Sequence, residues 1–80
     1  MATVIFSSEL QQFTGEEQTS VSSLIYRDLV QELLLRYELL PRETIDKMAV
    51  AIDGEIIANP YLETVGPNSE VHFLYRISGG

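Results

Sequence analysis

Few residues in this sequence have the types or spacing that chemistry needs. The single histidine, His72, lies in the run Glu70-Val71-His72-Phe73-Leu74 between apolar neighbours. No other good ligand is legible near it, so it reads as a surface residue rather than a metal ligand or catalyst. Serines at 7, 8, 20, 22, 23, 69 and 78 have no discernible base and orienting acid, which argues against a hydrolase triad. Glu16-Glu17 reads as a solvated turn rather than an acid/base pair. Gly15, Gly54 and Gly66 are isolated turn glycines, not a phosphate-binding loop. There is no cysteine, hence no disulfide framework, thiolate nucleophile or cysteine metal site. What remains is the end of the chain, where Ile77-Ser78-Gly79-Gly80 directly follows a strand-like run. A frayed terminus is the plain reading of such an end. The position of the glycines favours another, in which the domain presents the α-carboxylate of Gly80. With no side chain at Gly79 or Gly80, that carboxylate could thread a narrow tunnel in another protein. Residues 77–80 extend about 13–14 Å, enough to reach a buried active site from a docked domain.

The elements that must position this tail are those of one small domain. Eighty residues, 45% hydrophobic and 21% charged, read as a globular soluble chain with a modest core. Twelve acidic and five basic residues give a net charge of −7. Nucleic-acid backbones and anionic membranes would be repelled, and neither is expected as a partner. The acids run from Glu9 to Glu70, so the charge serves either solubility or a partner with a basic surface. Met1-Ala2-Thr3-Val4 leads straight into a strand-like run with no signal-peptide pattern. No apolar stretch approaches the roughly 20 residues of a spanning helix. The lack of cysteine suits a cytoplasmic location.

Thr3-Val4-Ile5-Phe6 is β-branched and aromatic and predicts a first strand. Leu10 leads through Gly15 into a turn at Gly15-Glu16-Glu17-Gln18, and Gln18-Thr19-Ser20-Val21-Ser22 predicts a short antiparallel second strand. Residues 24–39 hold no Gly or Pro. Tyr26, Leu29, Val30, Leu33, Leu34 and Tyr37 recur at the spacing of one helix face, with Ser22 or Ser23 as N-cap. Pro41 ends this helix, the one long helix available to cover a sheet. Residues 41–47 predict either a short helical turn or a loop. Met48-Ala49-Val50-Ala51-Ile52 alternates, sending Met48, Val50 and Ile52 inward and the alanines outward. Asp53-Gly54 is a strong hairpin signal, returning through Glu55-Ile56-Ile57. Gly66-Pro67-Asn68-Ser69 is a further turn before a final strand over residues 70–77. That strand turns Val71, Phe73, Tyr75 and Ile77 to the core and His72, Leu74 and Arg76 outward. The first and last strands can pair in parallel, with the helix as crossover. The fold class is therefore α+β, a mixed sheet of four to five strands covered by one long helix, in the order β-β-α-β-β-β. Residues 1–76 form the domain and residues 77–80 a flexible tail.

This order, with the terminal Gly79-Gly80, resembles the ubiquitin-like β-grasp proteins, and among them the prokaryotic sulfur carriers typified by the small subunit of molybdopterin synthase. Four stretches carry the likeness. They are Leu10-Gln11-Gln12-Phe13-Thr14-Gly15, Tyr26-Arg27-Asp28-Leu29-Val30-Gln31-Glu32-Leu33, Val50-Ala51-Ile52-Asp53-Gly54-Glu55, and Ser69-Glu70-Val71-His72-Phe73 through Ile77-Ser78-Gly79-Gly80. Only the diglycine is chemically specific; the rest are fold markers. The length resembles the molybdopterin-synthase type more than the shorter thiamine sulfur carriers, whereas residues 41–47 and Tyr75-Arg76 depart from the usual pattern.

The resemblance implies a carrier, not a catalyst. An adenylating enzyme similar to the ubiquitin-activating enzymes would activate Gly80, and a sulfur donor would convert the acyl-adenylate to a thiocarboxylate. A large molybdopterin-synthase-like subunit would then receive the sulfur. ATP and Mg²⁺ would belong to the activating partner, and this chain would bind no cofactor or metal. The alternative implied by the same family is a protein modifier, or a tRNA-thiolation carrier, using the same activated terminus. Docking also needs a surface. Ile5 and Leu74, on the outer face of two central strands, are expected to supply part of it, with His72 and Arg76 at its polar rim and Ser78 and Gly79 in the tail.

Overall fold

The computed structural model describes residues 1–74. The β-branched run at the start forms strand β1 (Ala2–Ile5), and Gln18–Val21 returns antiparallel to it as β2. Between them, Ser8–Thr14 is a helix, α1, where a run into a turn was expected. Its residues explain it. Leu10 and Phe13 share one face at i,i+3 spacing, Leu10 fully buried and Phe13 packed on the core. Gly15 ends the helix at φ 71°, its amide donating to the Gln11 carbonyl at 2.8 Å, a left-handed cap that suits glycine.

The main helix, α2 (Tyr26–Arg36), is shorter than residues 24–39. Its apolar face is as the spacing predicts: Tyr26, Leu29, Val30, Leu33 and Tyr37 are buried and Leu34 packs against them. Neither Ser22 nor Ser23 caps it. The first helical amides instead reach the loop that precedes the last strand, Tyr26 N–H donating to the Glu63 carbonyl and Arg27 N–H to that of Tyr61, each at 2.9 Å. Ser22 and Ser23 turn their amides to the Glu32 carboxylate at 3.2 Å, and Ser23 adds its hydroxyl at 2.8 Å. Arg36 bonds Glu32 at 2.9 Å and reaches across to Thr19 Oγ1 and the Ser20 carbonyl, tying α2 to the outer strand β2. Residues 41–47 resolve as a one-turn helix, α3 (Arg42–Asp46), with Pro41 just outside it and Ile45 buried. Among the described residues α2 is thus the one long helix, α3 is the short helical turn that was one of two readings of residues 41–47, and α1 is the helix that was not expected.

Strands β3 (Ala49–Ile52) and β4 (Glu55–Ile57) form the hairpin at Asp53-Gly54, both turn residues at positive φ. Strand β5 (Glu70–Leu74) lies at the centre of a five-stranded sheet of order β2-β1-β5-β3-β4. It is parallel to β1, with Val4 beside Val71, and antiparallel to β3, with Val50 beside Phe73. The helices cover one face, where Val4, Leu10, Leu29, Leu33, Val71 and Phe73 fill the core. The fold is an α+β grasp of a mixed sheet. Ala51 points outward as predicted yet is only 6% exposed, a small residue between cross-strand His72 and Ile56. Arg76, Ser78, Gly79 and Gly80, the boundary at residue 76 and the last part of the predicted strand lie outside the described residues.

Candidate functional site

The uncovered face of the sheet is built by strand alternation. On β1 it takes Thr3 and Ile5, on β5 Glu70, His72 and Leu74, on β3 Ala49 and Ala51, and on β4 Ile56. Register aligns Ile5, His72, Ala51 and Ile56 as one cross-strand row over four strands. The next position along β5 pairs Leu74 with Ala49. Ile5 and His72 are half-buried, Leu74 is 38% exposed and Ile56 66%. The result is a row in which Ile5, Ala51 and Ile56 are apolar, His72 interrupts them and Gln18 of β2 ends it, with further polar residues on one side, where Thr3 pairs with Ser20 on β2 and with Glu70 on β5. His72 Nε2 lies 3.4 Å from a Glu70 carboxylate oxygen, two residues away on the same face.

Of the residues expected to form a partner surface, Ile5, His72 and Leu74 therefore share one face, and Arg76 is beyond the described chain. Ile56 was not anticipated. Its signal was present, because period 2 counted from the Asp53-Gly54 turn sets Ile56 opposite Ala51 on the outward side. Larger exposed apolar side chains also occur elsewhere, at Leu35 and Leu39 beyond the helix face and at Tyr61 and Leu62 in the loop.

The start of β5 is fixed by Asp53. Its carboxylate accepts the Glu70 amide and the Ser69 hydroxyl, both at 2.9 Å, and Ser69 Oγ accepts the Gly66 amide at 3.0 Å. These bonds, first that from the Glu70 amide and then that from Ser69, hold the Asp53 carboxyl below its ordinary range. Elsewhere, burial pushes the Tyr26 phenol well up, aided by the nearby Asp46 charge. Glu32 feels some burial, which opposes ionisation, yet bonds from Ser23 and Ser22 and the Arg36 charge bring it below the usual carboxylate range. These shifts follow from the burial of Tyr26 and from the hydrogen bonds that close the turns at Ser22-Ser23 and Ser69-Glu70. Among the described residues no group of three His, Cys, Asp or Glu could hold a metal ion, and no helix is long and apolar enough to cross a membrane.

No protein-family model matches the sequence, and no curated protein matches it. Solved structures do. A chain of the Amycolatopsis orientalis BexX/CysO complex has a TM-score of 0.78 at 17% identity, with all of both chains covered. SAMP1 from Haloferax volcanii has a TM-score of 0.73 at 18% identity, over 99% of this chain and 98% of that one. A Pyrococcus furiosus protein designated as molybdopterin converting factor, subunit 1, has a TM-score of 0.73 at 16% identity, over 95% and 97%. At these identities the likeness is one of fold, the ubiquitin-like β-grasp, and it spans nearly the whole length of each chain.

Proposed function

We propose that this chain is a sulfur carrier whose Gly80 carboxylate is adenylated and then converted to a thiocarboxylate. The observation that carries the proposal is the placement of β5. The central strand is pinned at its start by Asp53, braced by β1 and β3, and leads directly to the six residues that end in Gly79-Gly80. The fold match supports it, since one neighbour is designated a molybdopterin converting factor subunit and another is a chain in a two-protein complex.

A carboxylate resists substitution because its leaving group is poor. Attack of a Gly80 oxygen on the α-phosphorus of ATP, with loss of pyrophosphate, makes AMP the leaving group. A sulfur nucleophile then forms the C–S bond at the Gly80 carbonyl carbon as the C–O bond to AMP breaks. ATP and Mg²⁺ belong to the activating enzyme, and the chain itself is a stoichiometric carrier, working in the cytoplasm where ATP is present. The sulfur then passes to an acceptor held by a larger synthase-like subunit of the molybdopterin type. The row Ile5, His72, Ala51, Ile56 with Leu74 forms the docking face, which the net charge of −7 biases toward partners with basic surroundings.

Pyrophosphate exchange into ATP, catalysed by an adenylating enzyme of this class, measures the first step. The full chain supports exchange, and deletion of Gly79-Gly80 abolishes it while leaving the unfolding midpoint unchanged. Exchange that persists without the two glycines would remove Gly80 from the mechanism.

A further inference from the structure

Between the start of α2, α3 and β3 the structure leaves an open cleft of about 220 Å³. Its floor is apolar and comes from Ile45, Met48 and Val50, all three buried. Tyr26 and Tyr61 add aromatic rings, and Asp46 is the one charged residue of the lining among the described residues. Val50 alternates with Ala49 and Ala51, so the cleft lies on the opposite face of the sheet from Ile5, His72 and Ile56. Backbone bonds fix the wall that carries Tyr61. Arg27 N–H donates to the Tyr61 carbonyl and Tyr26 N–H to that of Glu63, while Glu63 N–H donates to the Pro60 carbonyl at 2.8 Å. A wall held this way is already in place before anything binds.

Size, charge and ring chemistry select the occupant. Pockets for drug-sized molecules measure about 300–1,000 Å³, so this one suits a single long side chain. A carboxylate at an apolar cleft favours a cation with an aliphatic stem. The cations nearby do not fill that role. Arg27 pairs with Asp28 at 3.3 Å, and Arg42 reaches Asp46 only at 4.0 Å, with both side chains at least half exposed, a contact of little worth. The Arg27 guanidinium carbon also lies 6.0 Å from the Tyr61 ring centroid, so this ring already accepts a guanidinium from within the chain. Tyr26 stays a neutral phenol, through burial first and then the Asp46 charge, and its oxygen can accept an N–H. A guanidinium answers all three groups better than an ammonium, because it is planar, stacks on aromatic rings and forks to a carboxylate.

We propose that this cleft is a docking site for an arginine side chain of a protein partner, with its methylenes on Ile45 and Met48 and its guanidinium against Tyr26, Tyr61 and the Asp46 carboxylate. The net charge of −7 draws basic protein surfaces toward it. The site makes no use of Gly80 and stands apart from the carrier reading.

The test titrates the isotope-labelled full chain with Nα-acetyl-L-arginine N-methylamide and follows amide chemical shifts. The expected result is saturable binding in the millimolar range, with shifts centred on Tyr26, Ile45, Asp46, Met48 and Tyr61. The neutral citrulline counterpart should bind about tenfold more weakly or worse. Asp46→Asn should lower affinity for the arginine probe about tenfold and Tyr61→Leu about threefold. Both side chains are more than half exposed, so the unfolding midpoint should stay unchanged in each variant. No saturable shift, equal binding of the citrulline or lysine counterpart, or affinity unaffected by Asp46→Asn would overturn the assignment. Tighter binding of free L-arginine than of the capped probe would also overturn it, because the site would then take a free amino acid and not a side chain. None of these outcomes bears on adenylation of Gly80.

Discussion

Asp53 joins two parts of the fold that are distant in sequence. From the β3–β4 turn, at φ 52°, it fixes Ser69 and Glu70 at the start of β5. Because its folded pKa and that of Glu32 lie below their unfolded values, the unfolded chain takes up these protons first as pH falls. Their contribution is complete above the unfolded values, declines as pH drops through about 5 to 3, and is gone below the folded values. Urea midpoints should therefore fall over that range, and less steeply in Asp53→Asn and in Glu32→Gln than in the parent chain. Parallel pH profiles would contradict these roles. At the proposed docking face, Ile56→Glu places a charge on an exposed site and should change stability by no more than about 0.5 kcal/mol, whereas Leu74→Glu, at a site 38% exposed, should cost about 1 kcal/mol. Affinity for the adenylating enzyme should drop about tenfold or more, equivalent to about 1.4 kcal/mol. Unchanged affinity in both variants would remove this face from the interface.

Among the elements, those defined by a long period or a turn signal were legible. The α2 face, the Asp53-Gly54 hairpin and the alternation of β5 over residues 70–74 all follow from residue spacing. The α1 helix did not stand out because two turns supply only Leu10 and Phe13 as a periodic pair, too few to outweigh the turn signal at Gly15. That same glycine was the missed signal, since it is the left-handed cap of a helix. A Cβ at Gly15 would meet open space, so Gly15→Ala tests backbone conformation alone and should cost about 1–2 kcal/mol in denaturant unfolding. No loss would mean that the cap does not constrain α1. The start of α2 was misplaced for another reason. Its amides are capped by carbonyls of Glu63 and Tyr61, more than thirty residues along the chain, and sequence-local rules assign that role to the nearest serine.

At the scale of the molecule, the parallel pairing of first and last strands and the resulting centrality of β5 were readable from element order. The outer face was half readable. Ile5, His72 and Leu74 come from alternation within strands, whereas the inclusion of Ile56 depends on the hairpin register and on β4 being at the sheet edge. The burial of Ala51 depends on its cross-strand neighbours and could not be read from its own strand. The acidic balance adds a test of the whole surface: if charge steers docking, association with the activating enzyme should slow as salt is raised through the physiological range. The proposed carrier function turns on the chemistry at Gly80. Its most direct measurement is the intact mass of the full chain after incubation with an adenylating enzyme, Mg·ATP and a sulfur donor. Exchange of one oxygen for sulfur, localised to Gly80 and absent without ATP, is the predicted result. A chain that is adenylated but acquires only isopeptide links to other proteins, or one whose mass never changes, would contradict the sulfur-carrier account.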